Sequence, residues 1–522
     1  MKKNFFKFAA LMMAAATLVV ACSDDKTEDG GKGGQNALGA PVVFLERQGA
    51  TLNVEWEYVS GAKLYEVNAN VIGEVDSEGT VTNYAEENVT ALLESPKVTE
   101  NLTETLTLNK GYVYEVQVVA TAEGRENSEV GTATTMYYVA AMMYEGGELA
   151  ALIAADVEEK AANDELEVSL LAGAEYSLES TLDLGLHSTK FVVKKWDETN
   201  KKYVEATAED KRPIVVMGEL GRLRTASGLQ ISGVNFDCTA QVLTPGDVDY
   251  GFITMSATYY PEREHMYGNL KIQSMVEPIV VANCNIKDLP SSFFIGGINA
   301  WGIESLTIDN CIIQARKEGG LVGNNYEFVN FMKANQTGEE GTTCAFAALR
   351  VFTIKNSTIY GLGDNGARFY RWTNQDNIGA GNGTLFASGD KTTQFVMTNT
   401  TLHGWSNQAD NFAHTKLDVV EMHDNVLYNA YAFNKLIRQG TSSVDLTKTN
   451  PETNIAWSPY FYKDGEGAGV AGGDTEAALV TGVELKFTGT EPTELNLEDD
   501  VKGGQSFAYT CEKTLAGDPR WK

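Results

Sequence analysis

Along most of this chain apolar residues alternate with polar ones over short runs, and one octet returns six times. With its turn residue set at position five, position one is Leu229, Ile279, Leu306, Phe352, Phe395 and Val420. Position three is Ile231, Val281, Ile308, Ile354, Met397 and Met422, and position eight is Phe236, Ile286, Ile313, Ile359, Leu402 and Leu427. Position five itself is Gly233, Asn283, Asn310, Asn356, Asn399 and Asp424. Inward residues at i and i+2 make a strand, whereas an amphipathic helix needs i, i+3, i+4 spacing. Asn, Asp and Gly share a tolerance for the left-handed backbone of a tight turn. The separations between copies are irregular, from 25 (395 to 420) to 50 (229 to 279). A propeller or leucine-rich repeat keeps stricter time. A coil whose rungs share one side and carry variable loops elsewhere does not need to, so the pattern predicts a parallel β-helix. Its strands would stack at ~4.8 Å, with the Asn side chains hydrogen-bonding up the ladder.

A different alternation fills Pro41 to Tyr138. The runs LNVEWEYV (Leu52 to Val59), GAKLYEVNANVIG (Gly61 to Gly73) and TLTLNKGYVYEVQVVATAEG (Thr105 to Gly124) are rich in β-branched and aromatic residues and broken by Gly and Asn. They predict antiparallel strands of a small sandwich. The third run resembles the fibronectin type III signature, with Leu108, Gly111, Tyr114, Val116, Val118 and Ala120 matching and Lys110 in place of the usual proline. The resemblance implies that Trp56 and Tyr65 are core residues. It also makes Tyr114 a corner tyrosine bonded to the backbone upstream, and the module a spacer.

From Met143 onward the chain resembles the right-handed parallel β-helix of the pectin-lyase-like superfamily. Glu165 to Gly185 is similar to that superfamily's opening turn, with Gly173 and Tyr176 forming a Gly-x-x-Tyr pattern. The combination also resembles surface lipoproteins of glycan-utilisation loci in Gram-negative bacteria that end in the tail Gly517-Asp518-Pro519-Arg520-Trp521. The expected fold is therefore all-β: a signal peptide (1–21), a tether (22–40), a fibronectin type III-like sandwich (41–138) and a β-helix with a C-terminal tail (143–522).

The ends supply the location. Lys2, Lys3 and Lys7 precede an apolar run from Phe8 to Val20, shorter than the ~20 residues of a spanning helix, and Ala21-Cys22 follows. This is the layout of an export signal. Val19-Val20-Ala21-Cys22 resembles a lipobox, which makes Cys22 the lipidated residue and the membrane a partner through that anchor. The acidic, Gly-rich Ser23–Gln35 reads as a flexible tether. It also resembles a surface-export signal, which implies the outer face of the outer membrane. The formal net charge of −30 argues against nucleic acid, whose phosphates need Lys and Arg.

Cys284 and Cys311 both hold position six, beside Ser357 and Thr400 in other copies. Neighbouring rungs would put them either within disulfide range or in a stack of small buried thiols, and the second fits Ser and Thr better.

Candidate chemistry lies in the inserts Thr239–Asn269, Ala315–Arg350, Gly361–Gln394 and Ile437–Asp474. The richest, GLGDNGARFYRWTNQDN, carries Asp364, Arg368, Arg371, Trp372 and Asp376. In a polysaccharide lyase Arg368 or Arg371 would be the base, and Asp364 and Asp376 would offer oxygens to Ca²⁺. The same residues also suit a solvated loop with ordinary ion pairs. The hydrolase signatures Asn-Thr-Asp, Gly-His-Gly and Arg-Ile-Lys, and the Arg-x-Pro-x-x-Arg of classical pectate lyases, do not occur. His403, His414 and His423 lie close in sequence and would either converge with Asp410 or sit on the surface or rim. Tyr259, Tyr260, Trp372, Trp457 and Tyr460, placed in loops, are candidates for a glycan groove or for burial against the helix flank. The expected function is capture of a polysaccharide at the cell surface beside components of a glycan importer. The alternatives are a lyase or hydrolase acting on a pectin-like glycan and a structural or adhesive surface protein.

Overall fold

The computed structural model describes residues 38–522 apart from 49–50, 77–79, 138–140, 160–164, 198, 200–201, 243–250, 268–269, 291, 297–300, 317–326, 332–335, 338–342, 345–347, 363–367, 373–384, 406–411, 414–416, 431–444, 458–461, 464–465, 468–479 and 514–515. The chain divides into two compact units, Met1–Ala140 and Ala141–Lys522. Among the described residues no helix is long and apolar enough to cross a membrane.

The first unit is an antiparallel sandwich. One sheet joins Val43–Gln48, Thr51–Trp56 and Thr103–Thr107; the other is built on Leu64–Val75, Tyr112–Thr121 and Gly131–Tyr137. Inward positions of both sheets meet in one core, where Trp56 and Tyr65 pack with ring centroids 5.5 Å apart. The Tyr114 hydroxyl donates to Asn109 O at 2.6 Å and accepts from Asn109 N at 2.7 Å. That closes the turn at Gly111 (φ +88°) without the proline that Lys110 replaces.

The second unit winds three parallel sheets. The first stacks Ala141–Tyr144, Leu166–Leu171, Thr189–Asp197, Leu229–Ser232, Ile279–Ala282, Trp301–Asp309, Ala348–Lys355, Gln394–Thr398 and Val419–His423. The second runs from Gly147–Glu148 through Asn285–Leu289, Ile312–Ala315 and Thr358–Gly361 to Ile455–Trp457 and Thr481–Gly482. The third holds Thr181–Asp183, Arg222–Thr225, Ile253–Met255, Phe294–Ile295, Glu327–Phe331, Arg368–Trp372 and Phe412–Ala413. Position one of each octet pairs with position one of the next, from Leu229↔Ile279 to Phe395↔Val420, and position eight likewise, from Phe236↔Ile286 to Leu402↔Leu427.

The turn residues are left-handed: Gly233 (φ +72°), Asn283 (+55°), Asn310 (+52°), Asn356 (+51°), Asn399 (+48°) and Asp424 (+58°). The side-chain ladder is only partly the one expected. Asn310 Nδ2 donates to Asn283 Oδ1 at 2.7 Å, but Asn283 reaches Ser232 and Asn356 turns to Asp309 Oδ1 at 3.0 Å. Backbone conformation, more than side-chain stacking, explains the choice of Asn. Asn356→Ala is accordingly expected to cost about 1–2 kcal/mol, the penalty of a left-handed L-residue, and Asn356→Gly clearly less. Urea midpoints of the two variants check this.

Cys284 and Cys311 are free and fully buried, as the thiol stack requires. Position six forms its own ladder. Cys311 N donates to Ser357 Oγ at 3.0 Å, Thr400 N to Asn425 Oδ1 at 3.0 Å and Asn425 Nδ2 to Asn454 Oδ1 at 2.8 Å. Inside the coil an aromatic column runs Phe236, Phe252, Phe293, Phe328, Phe369, with successive centroids 4.9–5.7 Å apart, and Trp405 meets Phe328 edge-on.

Two parts of the architecture were not anticipated. A helix, Leu149–Glu159, begins with Glu148 Oε2 accepting from Ala151 N at 2.6 Å, an N-terminal cap. It buries Leu149 and Ile153 in the solenoid core. The second is where the expected tail packs: Leu485, Leu495, Leu497, Phe507 and Tyr509 cover the outward residues Ile312, Tyr360, Val426 and Ile455 of the second sheet. Tyr176, of the Gly-x-x-Tyr pattern, is buried; its hydroxyl donates to Tyr144 O at 2.5 Å and accepts from Leu171 N at 2.7 Å. Burial pushes its pKa up to about 12.

Candidate functional site

Inserts are not spread evenly around the coil. Between the first and second sheets the turns are tight from Ser232–Asn235 to His423–Val426. The one long exception is the hairpin of Thr189–Asp197 with Lys202–Glu205. The inserts instead leave the edges of the third sheet: 238–252 and 256–278, 316–326 and 332–347, 362–367 and 373–393. Where rungs must stack, length is constrained; where they need not, loops vary and carry function. The long inserts are thus gathered at the two ends of the third-sheet strands.

Two rows of this sheet can be followed in register. Leu182, Leu223, Ile253, Phe294, Val329 and Tyr370 pair in register and belong to the core. The next row runs Asp183, Arg224, Thr254, Ile295, Asn330, Arg371, Ala413, and within it Thr254, Ile295 and Asn330 are buried as well. Arg368 and Arg371 therefore do not sit in a loop, as the sequence suggested. Arg368–Trp372 is a strand, with Arg368 beside buried Glu327, Arg371 beside Asn330, and Trp372 on the row of buried Phe331. The strand was hidden by its polar composition and short length. Asp364 and Asp376, the proposed Ca²⁺ ligands, lie outside the described residues, as do Tyr460, His414, Asp410 and the lipidation residue Cys22.

Trp457 is not in a loop. It ends the second-sheet strand Ile455–Trp457 and stacks on Tyr428 at 4.8 Å and 15°, beneath the tail. His403 is neither rim nor surface. It is 7% exposed, bonded through Nδ1 to the Tyr509 hydroxyl at 2.8 Å and stacked on Tyr428 at 4.9 Å. Burial holds its pKa down at about 4. His423 is half-buried and pairs with Asp424 at 2.8 Å. No convergence of the three histidines is described.

Tyr259 and Tyr260 are followed closely by Glu262 and Arg263, which help to line a recess. It has a volume of about 250 Å³ and is lined by Leu186, Ser188, Ser227, Glu262, Arg263 and Glu277. Three consecutive coils build it, each where the chain passes from the third sheet to the first. The first two turns are short; the third, 256–278, is long and folds back over them. Arg263 anchors the overhang: Nη1 donates to both carboxylate oxygens of Glu277 (2.9 and 2.8 Å) and Nη2 to Ser227 Oγ at 2.6 Å. Tyr260 N donates to Gln273 Oε1 at 2.7 Å, the ring packs on the core, and Tyr259 OH donates to Glu264 at 2.6 Å. Sequence reading found the tyrosines but not Arg263 or Glu277, which come together only through the fold-back.

Three parallel sheets wound by one chain, capped at one end and strapped along one flank, make the second unit a parallel β-helix, preceded by a fibronectin type III-like sandwich. Residues 175–362 match a family model described as Domain of unknown function (DUF4957). No curated protein matches the chain. Among solved structures, FN3tt mut is similar over 19% of this chain and 97% of its own, at 23% identity and TM-score 0.13. A pectate lyase from Erwinia chrysanthemi in complex with tetragalacturonic acid is similar over 76% of this chain and 82% of its own, at 10% identity and TM-score 0.14. A family 28 exopolygalacturonase from Yersinia enterocolitica is similar over 76% and 93%, at 8% identity and TM-score 0.22. The parallel strand pairing, not these likenesses, defines the fold.

Proposed function

We propose that this protein is a surface lipoprotein, held to the outer membrane through Cys22, that captures a polysaccharide along the insert-bearing side of its β-helix and hands it to a glycan importer. The observation that carries the reading is the placing of the long inserts. They leave both ends of the third-sheet strands, while outward residues of the second sheet are covered by the tail. A series of variable inserts along a rigid solenoid suits an extended polymer better than a small molecule. Arg371 pairs in register with Asn330 on a strand between two of these inserts, and the segment that carries Tyr259 and Tyr260 continues into Glu262 and Arg263 of the recess. The signal-peptide layout and the lipobox-like Val19–Cys22 support the anchor; lipid labelling lost in Cys22→Ala tests it.

Native gels cast with individual polysaccharides test the capture. The chain is expected to be retarded by at least one polymer, and Arg371→Ala to weaken that retardation about tenfold, the worth of one hydrogen bond from a charged donor. Retardation by none across a broad panel would overturn the reading. Release of unsaturated uronide ends, seen by ultraviolet absorbance and lost in Arg368→Ala, would replace capture by lyase chemistry.

A further inference from the structure

We infer that the polymer taken at this face is uncharged, and that one of its sugar units sits in the recess between Ser188, Ser227, Glu262, Arg263 and Glu277. The inference rests on the polysaccharide reading above and narrows its ligand. At about 250 Å³ the recess is smaller than the ~300–1,000 Å³ of pockets that enclose drug-sized ligands, so it takes one ring rather than a segment of chain.

Its chemistry is that of a polyol site. A carboxylate has about four acceptor positions. Glu277 gives two to Arg263 Nη1, which leaves positions open to hydroxyl donors. Glu262 stands exposed at the rim as a second acceptor. Arg263 uses three of its five N–H groups on Glu277 and Ser227. Ser188 and Ser227 both donate and accept. Leu186 supplies an apolar wall for a sugar's C–H face.

The same residues disfavour a uronate. Two carboxylates face the recess against one guanidinium, and that guanidinium is already neutralised in a bidentate pair 14% and 32% exposed. A third carboxylate would lie within the Debye length of ~8–10 Å of both. The formal charge of −30 adds repulsion at long range, weaker in salt than this local term.

The full-length protein, run in native gels with a neutral galactan, arabinan or mannan and in parallel with polygalacturonate, tests the proposal. At least one neutral polymer is expected to retard it. Glu262→Gln, an exposed change that leaves the Arg263 pair intact, is expected to weaken that binding about tenfold. Ser188→Phe, which fills the recess, is expected to abolish it, with an unchanged melting temperature certifying the fold. Neutral binding that both variants keep would overturn the recess. Binding of polygalacturonate alone would overturn the neutral ligand while capture of a polysaccharide stands. Retardation by no polymer would overturn both together.

Discussion

Replacing Asp518 by alanine is expected to destabilise the β-helix by about 3–5 kcal/mol, the cost of leaving one member of a buried ion pair alone. Asp518 is 1% exposed. Its carboxylate accepts from Arg520 Nε at 3.0 and 2.9 Å and from Thr358 Oγ1 at 2.7 Å, and its own N–H donates to Thr401 Oγ1 at 3.0 Å. Arg520 in turn donates to Cys311 O and Asn356 O, at 2.8 and 3.0 Å, and Trp521 Nε1 to Thr358 Oγ1 at 2.7 Å. One short segment thus ties three rungs together. Without the carboxylate, the guanidinium stays among carbonyls with no counter-charge, and Tyr360, Val426 and Ile455 lose their cover as the tail peels. The measurement is a urea midpoint together with limited proteolysis; cleavage should move into residues 485–522. A loss under about 1 kcal/mol, with the tail still protected, would show that the apolar contacts of Leu495, Phe507 and Tyr509 hold it unaided.

Acidification should weaken the same flank through His403. Buried among Tyr428, Phe487, Phe507 and Tyr509, the imidazole stays neutral, with its pKa lowered to about 4 by burial. In the unfolded chain it titrates near 6.5. A group with a depressed folded pKa favours the unfolded state once that state takes up the proton. Its stabilising share is therefore complete above pH 6.5 and is lost progressively as pH falls from 6.5 to about 4. At 1.36 kcal/mol per pKa unit the loss amounts to about 3 kcal/mol. Carboxylates add their own dependence below pH 5, so the contribution is isolated as a difference. His403→Gln should flatten the wild-type slope between pH 6.5 and 4.5. Parallel slopes for the two proteins would mean that the imidazole is already hydrated or protonated under the tail.

Much of the solenoid is legible from local pattern because its rungs are local objects. A strand's two inward side chains, a left-handed turn residue and a third apolar side chain all fall within eight residues. Asn283, Asn310, Asn356 and Asn399 need only their own backbone geometry to be recognised. The corner tyrosine Tyr114 and the buried Trp56 are equally local. The third-sheet strand Arg368–Trp372 escaped notice because it is short and polar, and its neighbour Glu327–Phe331 shows no alternation either. Phe328 to Phe331 are buried at every position, and period two disappears when both faces are covered. Trp457 and His403 were misplaced for a related reason. Each occupies an outward position of the second sheet, which pattern assigns to solvent, and each is covered by residues far along the chain.

Sequence alone determined the sandwich, the stacking register of the octets and the sign of every turn, since these follow from side-chain period and backbone sterics over a few residues. Only the tertiary structure decided which outward face is closed by the tail and that Arg263 meets Glu277 over Ser227. Those outcomes depend on contacts across tens to hundreds of residues, where the entropy of loop closure grows only slowly with length and no local period marks the partner.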